Sequence, residues 1–168
     1  MRVLITTSGI GSRLGSLTDF TNKCLVRIGD KPSISHIIDH YPKHTSFVVT
    51  LGHFGDYVKQ FLELSYTERE FHFVWVDNFQ GEGSSLGYSI LQAKANLQCP
   101  FIFHASDTIL GPEDEVSFPE FNWCAGAHKK ESSQYRTIKV NGGLVSIINE
   151  KGEINFDYSY IGLCGIKD

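Results

Sequence analysis

The sequence has no basic excess. Fifteen Lys and Arg stand against nineteen Asp and Glu, which leaves a net charge of -4 over 168 residues. A nucleic-acid footprint shows a strong basic bias, so its absence argues against a nucleic-acid partner. Any anionic ligand must then be held by a local cluster of cations. The four cysteines (Cys24, Cys99, Cys124 and Cys164) are far apart and form no C-x-x-C pair. With no signal-peptide pattern, the chain reads as reduced and cytoplasmic. The longest apolar runs are strand-sized, so no segment is expected to insert in a membrane. There is no low-complexity stretch and no repeat at a fixed period.

What remains is an ordinary globular mixture, 41% apolar and 20% charged. Its length suits one domain that buries roughly 70% of its unfolded surface. RVLIT (2–6), SFVVTLG (46–52), FHFVWV (71–76) and PFIFHAS (100–106) are short runs rich in β-branched and aromatic residues, and read as strands. Helix-length stretches lie between them. SISHIIDHY (33–41) places Ile34, Ile37, Ile38 and Tyr41 on one face, and GDYVKQFLEL (55–64) does so with Val58, Phe61 and Leu62. SLGYSILQAKANL (85–97) presents Ile90, Leu91 and Leu97. This alternation predicts an α/β, Rossmann-like, mostly parallel sheet with helices on both faces. Beyond Thr108, GPEDEVSFPEF reads as a loop. WCAGAHK, YRTIKV, GLVSIIN and YIGLCGI then read as antiparallel strands, with turns at Asn141-Gly142-Gly143 and Lys151-Gly152.

The first strand runs into TTSGIGSRL, at the carboxyl end where open α/β sheets bind ligands. Gly9 and Gly11 would let a phosphate approach the backbone, where successive N–H groups form an anion nest. A plain flexible turn is the alternative. The P-loop pattern fails because no lysine follows Gly15. A dinucleotide fingerprint is the weaker reading: Leu14 occupies the third glycine position, Asp30 is placed to be the ribose acid, and nine residues between Leu14 and Cys24 are too few for the required helix.

The longer stretch GIGSRLGSLTDFTNKCLVRIGDKP resembles the signature of nucleotidyltransferases that make sugar nucleotides and related activated head groups. Gly9, Gly11, Ser12, Arg13, Leu14, Thr18, Lys23, Leu25, Lys31 and Pro32 fall in register, while Asn22 stands where proline is usual. GEGSSLGYSIL (81–91) is similar to the family's glycine-rich approach to the base-contacting helix. FIFHASDTIL (101–110) resembles its strand ending in a metal-binding aspartate, LVSIINEK (144–151) its Glu-Lys strand, and YIGLCGIKD (160–168) a strand with a substrate-contacting glycine.

The resemblance implies an enzyme that joins a nucleoside monophosphate from a triphosphate to a phosphate monoester and releases pyrophosphate, for cell-surface polysaccharide or lipid biosynthesis. It implies Mg²⁺ held by Asp107, and a nucleotide site built from Thr7, Ser8, Gly9, Gly11, Ser12, Asn78, Gly83 and Ser84. Glu150, Lys151 and Gly162 would face the acceptor, a phosphorylated sugar or a phosphocholine-like group. Both reactants are polyanions, so the chemistry needs positioned cations. Arg13, a permanently charged fork, suits the leaving pyrophosphate, and Lys23 supplies a point charge near the α-phosphate.

The family's second metal-binding aspartate would lie beyond the strand matching YIGLCGIKD. The chain is therefore expected to be a single catalytic domain, 1–168, shortened at its C-terminus. The alternative is a catalytically incomplete nucleotide-binding or regulatory module. His36 and His40, four apart around Asp39, read as a polar helix face, and Cys24 as a small packing residue.

Overall fold

The computed structural model describes residues 1–128 and 132–167. The chain opens with β1 (Arg2–Thr6), whose side chains alternate between two layers: Val3 and Ile5 enter one, Leu4 the other. Two short 3₁₀ turns follow, Ser12–Thr18 and Lys23–Leu25. A two-residue hairpin, β2 (Arg27–Ile28) and β3 (Lys31–Pro32), then leads into α1 (Ser33–His40). Pro32, with φ fixed near that of a helix, sits just ahead of α1. Pro42 forces Tyr41 into an extended conformation and so ends it. The chain continues through β4 (Ser46–Leu51), α2 (Gly55–Ser65), β5 (Glu70–Trp75), α3 (Leu86–Gln92) and β6 (Phe101–Ala105). The last third is β7 (Trp123–Ala127), β8 (Thr137–Asn141), β9 (Leu144–Asn149) and β10 (Tyr158–Ile166).

The main sheet runs β5-β4-β1-β6-β10-β8-β9, with β7 paired to β10. β5, β4, β1 and β6 are parallel, and β1 lies between β4 and β6, with Leu4 opposite Val48 on one side and Phe103 on the other. On one face, α1 and α2 bury Ile34, Ile37, Ile38, Tyr41, Val58 and Leu62 against Val3, Ile5, Phe47 and Val49. Each such side chain contributes roughly 1.5–3 kcal/mol by leaving water. On the other face, Ala93, Ile90 and Leu97 pack on Leu4, Val48, Phe101 and Phe103. The parallel sheet with helices on both faces is thus as the alternation predicts.

One helix differs from expectation. α3 stops at Gln92, and a separate 3₁₀ turn spans Lys94–Asn96. The row packed on the sheet is the buried Ala93 with the partly buried Ile90 and Leu97, at i+3, i and i+7, while Leu91 is 61% exposed. The small Ala93 lets the chain lie flat on the sheet. No side chain longer than a methyl marks that position in the sequence.

The antiparallel third continues the sheet rather than forming a second layer. β10 pairs through Leu163–Ile166 with β6 and through Tyr158 and Ser159 with β8, and carries β7 on its other edge. A bulge between Tyr160 and Cys164 interrupts the β7 pairing. Gly162 lies inside it at φ +77, so close to β6 that a Cβ would stand 2.6 Å from that of Ala105.

Chain order reverses between β1 and β6: β4 and β5 extend to one side of β1, and the chain then crosses to the other. The carboxyl ends of these two neighbours therefore border the crevice where open α/β sheets bind ligands. The dinucleotide reading fails here. The stretch after the glycine loop is not a helix but 3₁₀ turns broken at Gly15 (φ 55, ψ -134), and Asp30 sits exposed in the β2–β3 turn.

Candidate active site

The loop leaving β1 is held from below before it offers anything to a ligand. Thr7 is fully buried; its hydroxyl donates to the Thr50 carbonyl at 2.6 Å and its N–H to the same oxygen at 3.2 Å. Ser8 accepts the His53 N–H at its carbonyl, and its hydroxyl meets that of Ser89 at 2.9 Å. Gly52 makes this approach possible, because a Cβ there would lie 2.5 Å from the Ser8 oxygen.

Asn22 closes the loop's far end. Fully buried, it donates through Nδ2 to the carbonyls of Thr7 (2.7 Å) and His53 (2.6 Å), and its Oδ1 accepts the Cys24 N–H at 3.0 Å. One side chain thus ties β1, the turn after β4 and the Lys23–Leu25 turn together. The residue that departs from the family pattern is the staple that places Lys23.

Gly11 has φ +70, and a Cβ on it would stand 2.8 Å from Lys23 Cβ and 3.2 Å from Thr18 Cγ2. Glycine is needed here for its left-handed backbone and for the passage of the Lys23 stem. Lys23 Nζ then reaches Asp107 Oδ2 at 3.2 Å. Asp107 follows β6 in a turn fixed by His104, whose Nε2 lies 2.9 Å from the Thr108 carbonyl and whose Nδ1 lies 2.7 Å from Tyr41 Oη. A carbonyl only accepts, so Nε2 carries the proton and Tyr41 donates to Nδ1. Burial holds this neutral ring's pKa down at about 4. Thr108 also donates through its hydroxyl to the Ile161 carbonyl, joining the turn to β10.

Two clefts meet at Gly11 and Lys23. The larger, about 510 Å³, is lined by Arg13, Ser12, Val26, Ser106 and Asp107 among others. The smaller, about 270 Å³, is lined by Ser8, Gly9, Phe79, Ser84, Ser85 and Ser89. The first therefore offers two cations and a carboxylate, the second a row of hydroxyls beside an aromatic ring.

The expected site residues divide accordingly. Arg13, Lys23, Gly11, Ser12 and Asp107 come together in the larger cleft, and Ser8, Gly9 and Ser84 line the smaller one. Thr7 spends its hydroxyl on the sheet. Asn78 binds the Glu82 carbonyl through Nδ2 at 3.0 Å, and Gly83 (φ +81) makes room for that amide, so these two shape the loop above the smaller cleft. Glu150 is engaged by Arg136 through two hydrogen bonds of 2.7 and 3.2 Å at the end of β9, and neither it nor Lys151 lines either cleft. Gly162 packs on Ala105, two residues before Asp107.

Sequence reasoning misses the placing roles of Asn22 and His104, and it misses Ser106. The Ser106 hydroxyl is buried beside Asp107 with no hydrogen-bond partner among the described residues. No group of three His, Cys, Asp or Glu side chains among the described residues is placed to hold a metal. His36 instead contacts the Ile28 carbonyl at 2.8 Å, and Cys24 is buried in the core with its thiol pKa raised to about 12 by burial.

No protein-family model matches the sequence, and no curated protein does. Solved structures do match, at low identity and over nearly the whole chain. UDP-glucose pyrophosphorylase complexed with UDP-glucose aligns with a TM-score of 0.77 at 16% identity, over 99% of this chain and 75% of that one. The inositol-1-phosphate CTP transferase from T. maritima aligns at 0.73 and 17%, over 99% and 70%. The fold is that of the nucleotidyltransferases. CTP:phosphocholine cytidylyltransferase from Streptococcus pneumoniae shares it as well, with a TM-score of 0.71 at 18% identity, over 99% and 71%. Within the nucleotidyltransferase fold, both clefts border the chain reversal between β1 and β6.

Proposed function

We propose that this chain transfers a nucleoside monophosphate from a triphosphate to a phosphate monoester and releases pyrophosphate. The observation that carries this reading is the meeting of Arg13, Lys23 and Asp107 in one cleft of a nucleotidyltransferase fold. A phosphomonoester is already ionised near neutral pH, so no side-chain base is required. What the reaction needs is charge placed where the leaving and attacking oxygens gather.

Arg13 binds the leaving pyrophosphate, its exposed guanidinium free to close on two phosphate oxygens. Lys23, held by Asn22 below and by the gap at Gly11, neutralises the α-phosphate at the junction of the two clefts. The smaller cleft takes the nucleoside: Phe79 supplies a stacking face and Ser8, Ser84 and Ser85 supply hydrogen-bonding groups.

The donor set fits Mg²⁺ as a shared ion. Asp107 is 65% exposed at its side chain and is the one carboxylate lining the larger cleft among the described residues. One carboxylate suffices when phosphate oxygens and water complete the six ligands. Bound there, the ion would offset charge on the triphosphate; Asp107 would hold it and Lys23 would orient the carboxylate. The acceptor is a phosphorylated sugar or a phosphocholine-like group, the classes named by the structural neighbours, which fits a role in building surface polysaccharide or lipid head groups. A panel of triphosphates and phosphomonoesters assayed for pyrophosphate release tests the proposal. Release that depends on both substrates supports it, and nucleotide binding without release under any pair would favour a regulatory module.

A further inference from the structure

Two of the four cysteines, forty positions apart in sequence, face each other across neighbouring strands. Cys124 on β7 and Cys164 on β10 are direct antiparallel partners, immediately past the bulge. Directly opposed residues in an antiparallel pair lie with Cα atoms about 4.5–5.5 Å apart and side chains on the same face. A disulfide needs a Cα separation of about 4.4–6.8 Å. The register therefore brings the two Cα atoms within the span that a disulfide bridges. We propose that Cys124 and Cys164 form a dithiol site that closes to a cross-strand disulfide when it meets a low-molecular-weight disulfide such as oxidised glutathione.

The surroundings suit such a site. Both thiols are partly exposed, whereas Cys24 is fully buried. Tyr160 Oη, across the bulge, donates to Cys164 Sγ at 3.7 Å and favours its thiolate. Burial raises both thiols above their usual range, and Cys124 raises Cys164 further. The pair therefore rests as thiols near neutral pH, and proximity rather than acidity drives closure. Cys99 is exposed, but none of the other cysteines is its strand partner.

The chemistry balances as two exchanges. One protein thiolate attacks a sulfur of the small disulfide, giving a mixed disulfide and one small thiolate. The second protein thiolate attacks the protein sulfur of that mixed disulfide and expels the other small thiolate. Two protein S–H bonds are replaced by one S–S bond, and the oxidant leaves as two thiols. The link would staple the outer strand to β10 beside the bulge that presses Gly162 onto Ala105, just below Asp107.

The test uses the whole chain, folded, in a Cys99→Ser background. Incubation with oxidised glutathione, alkylation of remaining thiols and peptide mass spectrometry should give one linked peptide pair containing Cys124 and Cys164, with Cys24 unmodified until the chain is denatured. The linked form should melt on the order of 10 °C higher than the reduced one, because a disulfide across so long a loop restricts the unfolded chain. Cys124→Ser and Cys164→Ser should each abolish the link. Persistent glutathione adducts, or no reaction at either thiol while Cys99 in the parent chain is modified, would overturn the proposal. So would a link that forms only as Cys24 becomes alkylated, since that marks an unfolded chain.

Discussion

Lys23 Nζ and Asp107 Oδ2 lie 3.2 Å apart, one carried by the Lys23–Leu25 turn and the other by the turn that follows β6. Their side chains are 24% and 65% exposed. A pair this open contributes at most about 1 kcal/mol to stability. Its value lies in placement, because two opposite charges are held ready where phosphate oxygens and a divalent cation would replace each as the other's partner.

Among the described residues Arg13 makes no such pairing, so its loss should spare the fold. Arg13→Ala is expected to lower the turnover of pyrophosphate release by roughly 10²–10³. Its melting temperature should move by no more than about 2 °C. Turnover within about threefold of the parent would take Arg13 out of the mechanism.

Asp107 offers one carboxylate, so metal affinity should depend on nucleotide. Titration calorimetry should show Mg²⁺ binding only when a non-hydrolysable triphosphate is present, and Asp107→Asn should weaken it. Tight Mg²⁺ binding by the nucleotide-free chain would instead point to a protein-only cage.

Gly11 is set by Lys23 as much as by any phosphate. Gly11→Ala puts a Cβ at 2.8 Å from that of Lys23 on a backbone at φ +70. About 1–2 kcal/mol of destabilisation is expected in urea melts from the left-handed backbone alone, together with loss of triphosphate binding. Binding at parental affinity by Gly11→Ala would show that the loop tolerates a displaced lysine.

Asn22→Ala leaves the buried Thr7 carbonyl and Cys24 N–H, and the partly buried His53 carbonyl, without this partner. Since each such group costs about 1–3 kcal/mol, a loss of several kcal/mol is expected by chemical denaturation. A loss below about 1 kcal/mol would mean that water or a shifted backbone takes over its bonds.

His104 sets a pH dependence on the acid side. Its folded pKa of about 4 lies below the ordinary 6.5 because burial opposes the charged ring. Between those values the unfolded chain binds a proton that the folded chain refuses. The stability due to the neutral ring is therefore complete above about pH 6.5 and falls as the pH drops toward 4, by about 3 kcal/mol in all. His104→Gln should flatten this part of the curve of unfolding free energy against pH. Parallel curves for the two proteins would show that the ring is not held neutral.

Much of this molecule is legible in its sequence because its strands are short, apolar and separated by clear punctuation. RVLIT and SFVVTL announce buried parallel strands, and Ile34, Ile37, Ile38 and Tyr41 announce one face of a helix. The glycine loop and the cations around it follow from local spacing. What local spacing does not carry is contact at long range. Asn22 reads as a missing proline until its amide is seen to join residues fifteen and thirty-one positions away. His104 looks like a polar residue in an apolar strand until Tyr41 is found against it. Glu150 reads as a candidate for the acceptor site, yet Arg136, across the hairpin, holds its carboxylate. The break after α3 is hidden for a different reason: alanine is equally at home in a helix and in a tight turn.

β1 is the strand on which both halves of the crevice depend, and its second neighbour arrives late. Val3 pairs with Phe47 on one side but must wait for Ile102 on the other. A growing chain that has not yet supplied β6 holds β1 as an open edge, with Leu4 and Val48 facing water that Phe103 will later exclude. Such long-range pairing slows folding, and the unpaired edge is a hazard for sticking to other chains while it lasts. Asp107 follows β6 directly, so the ion pair with Lys23 needs β6 seated beside β1, and the docking that gives the crevice its charges is the same docking that covers the open edge of β1.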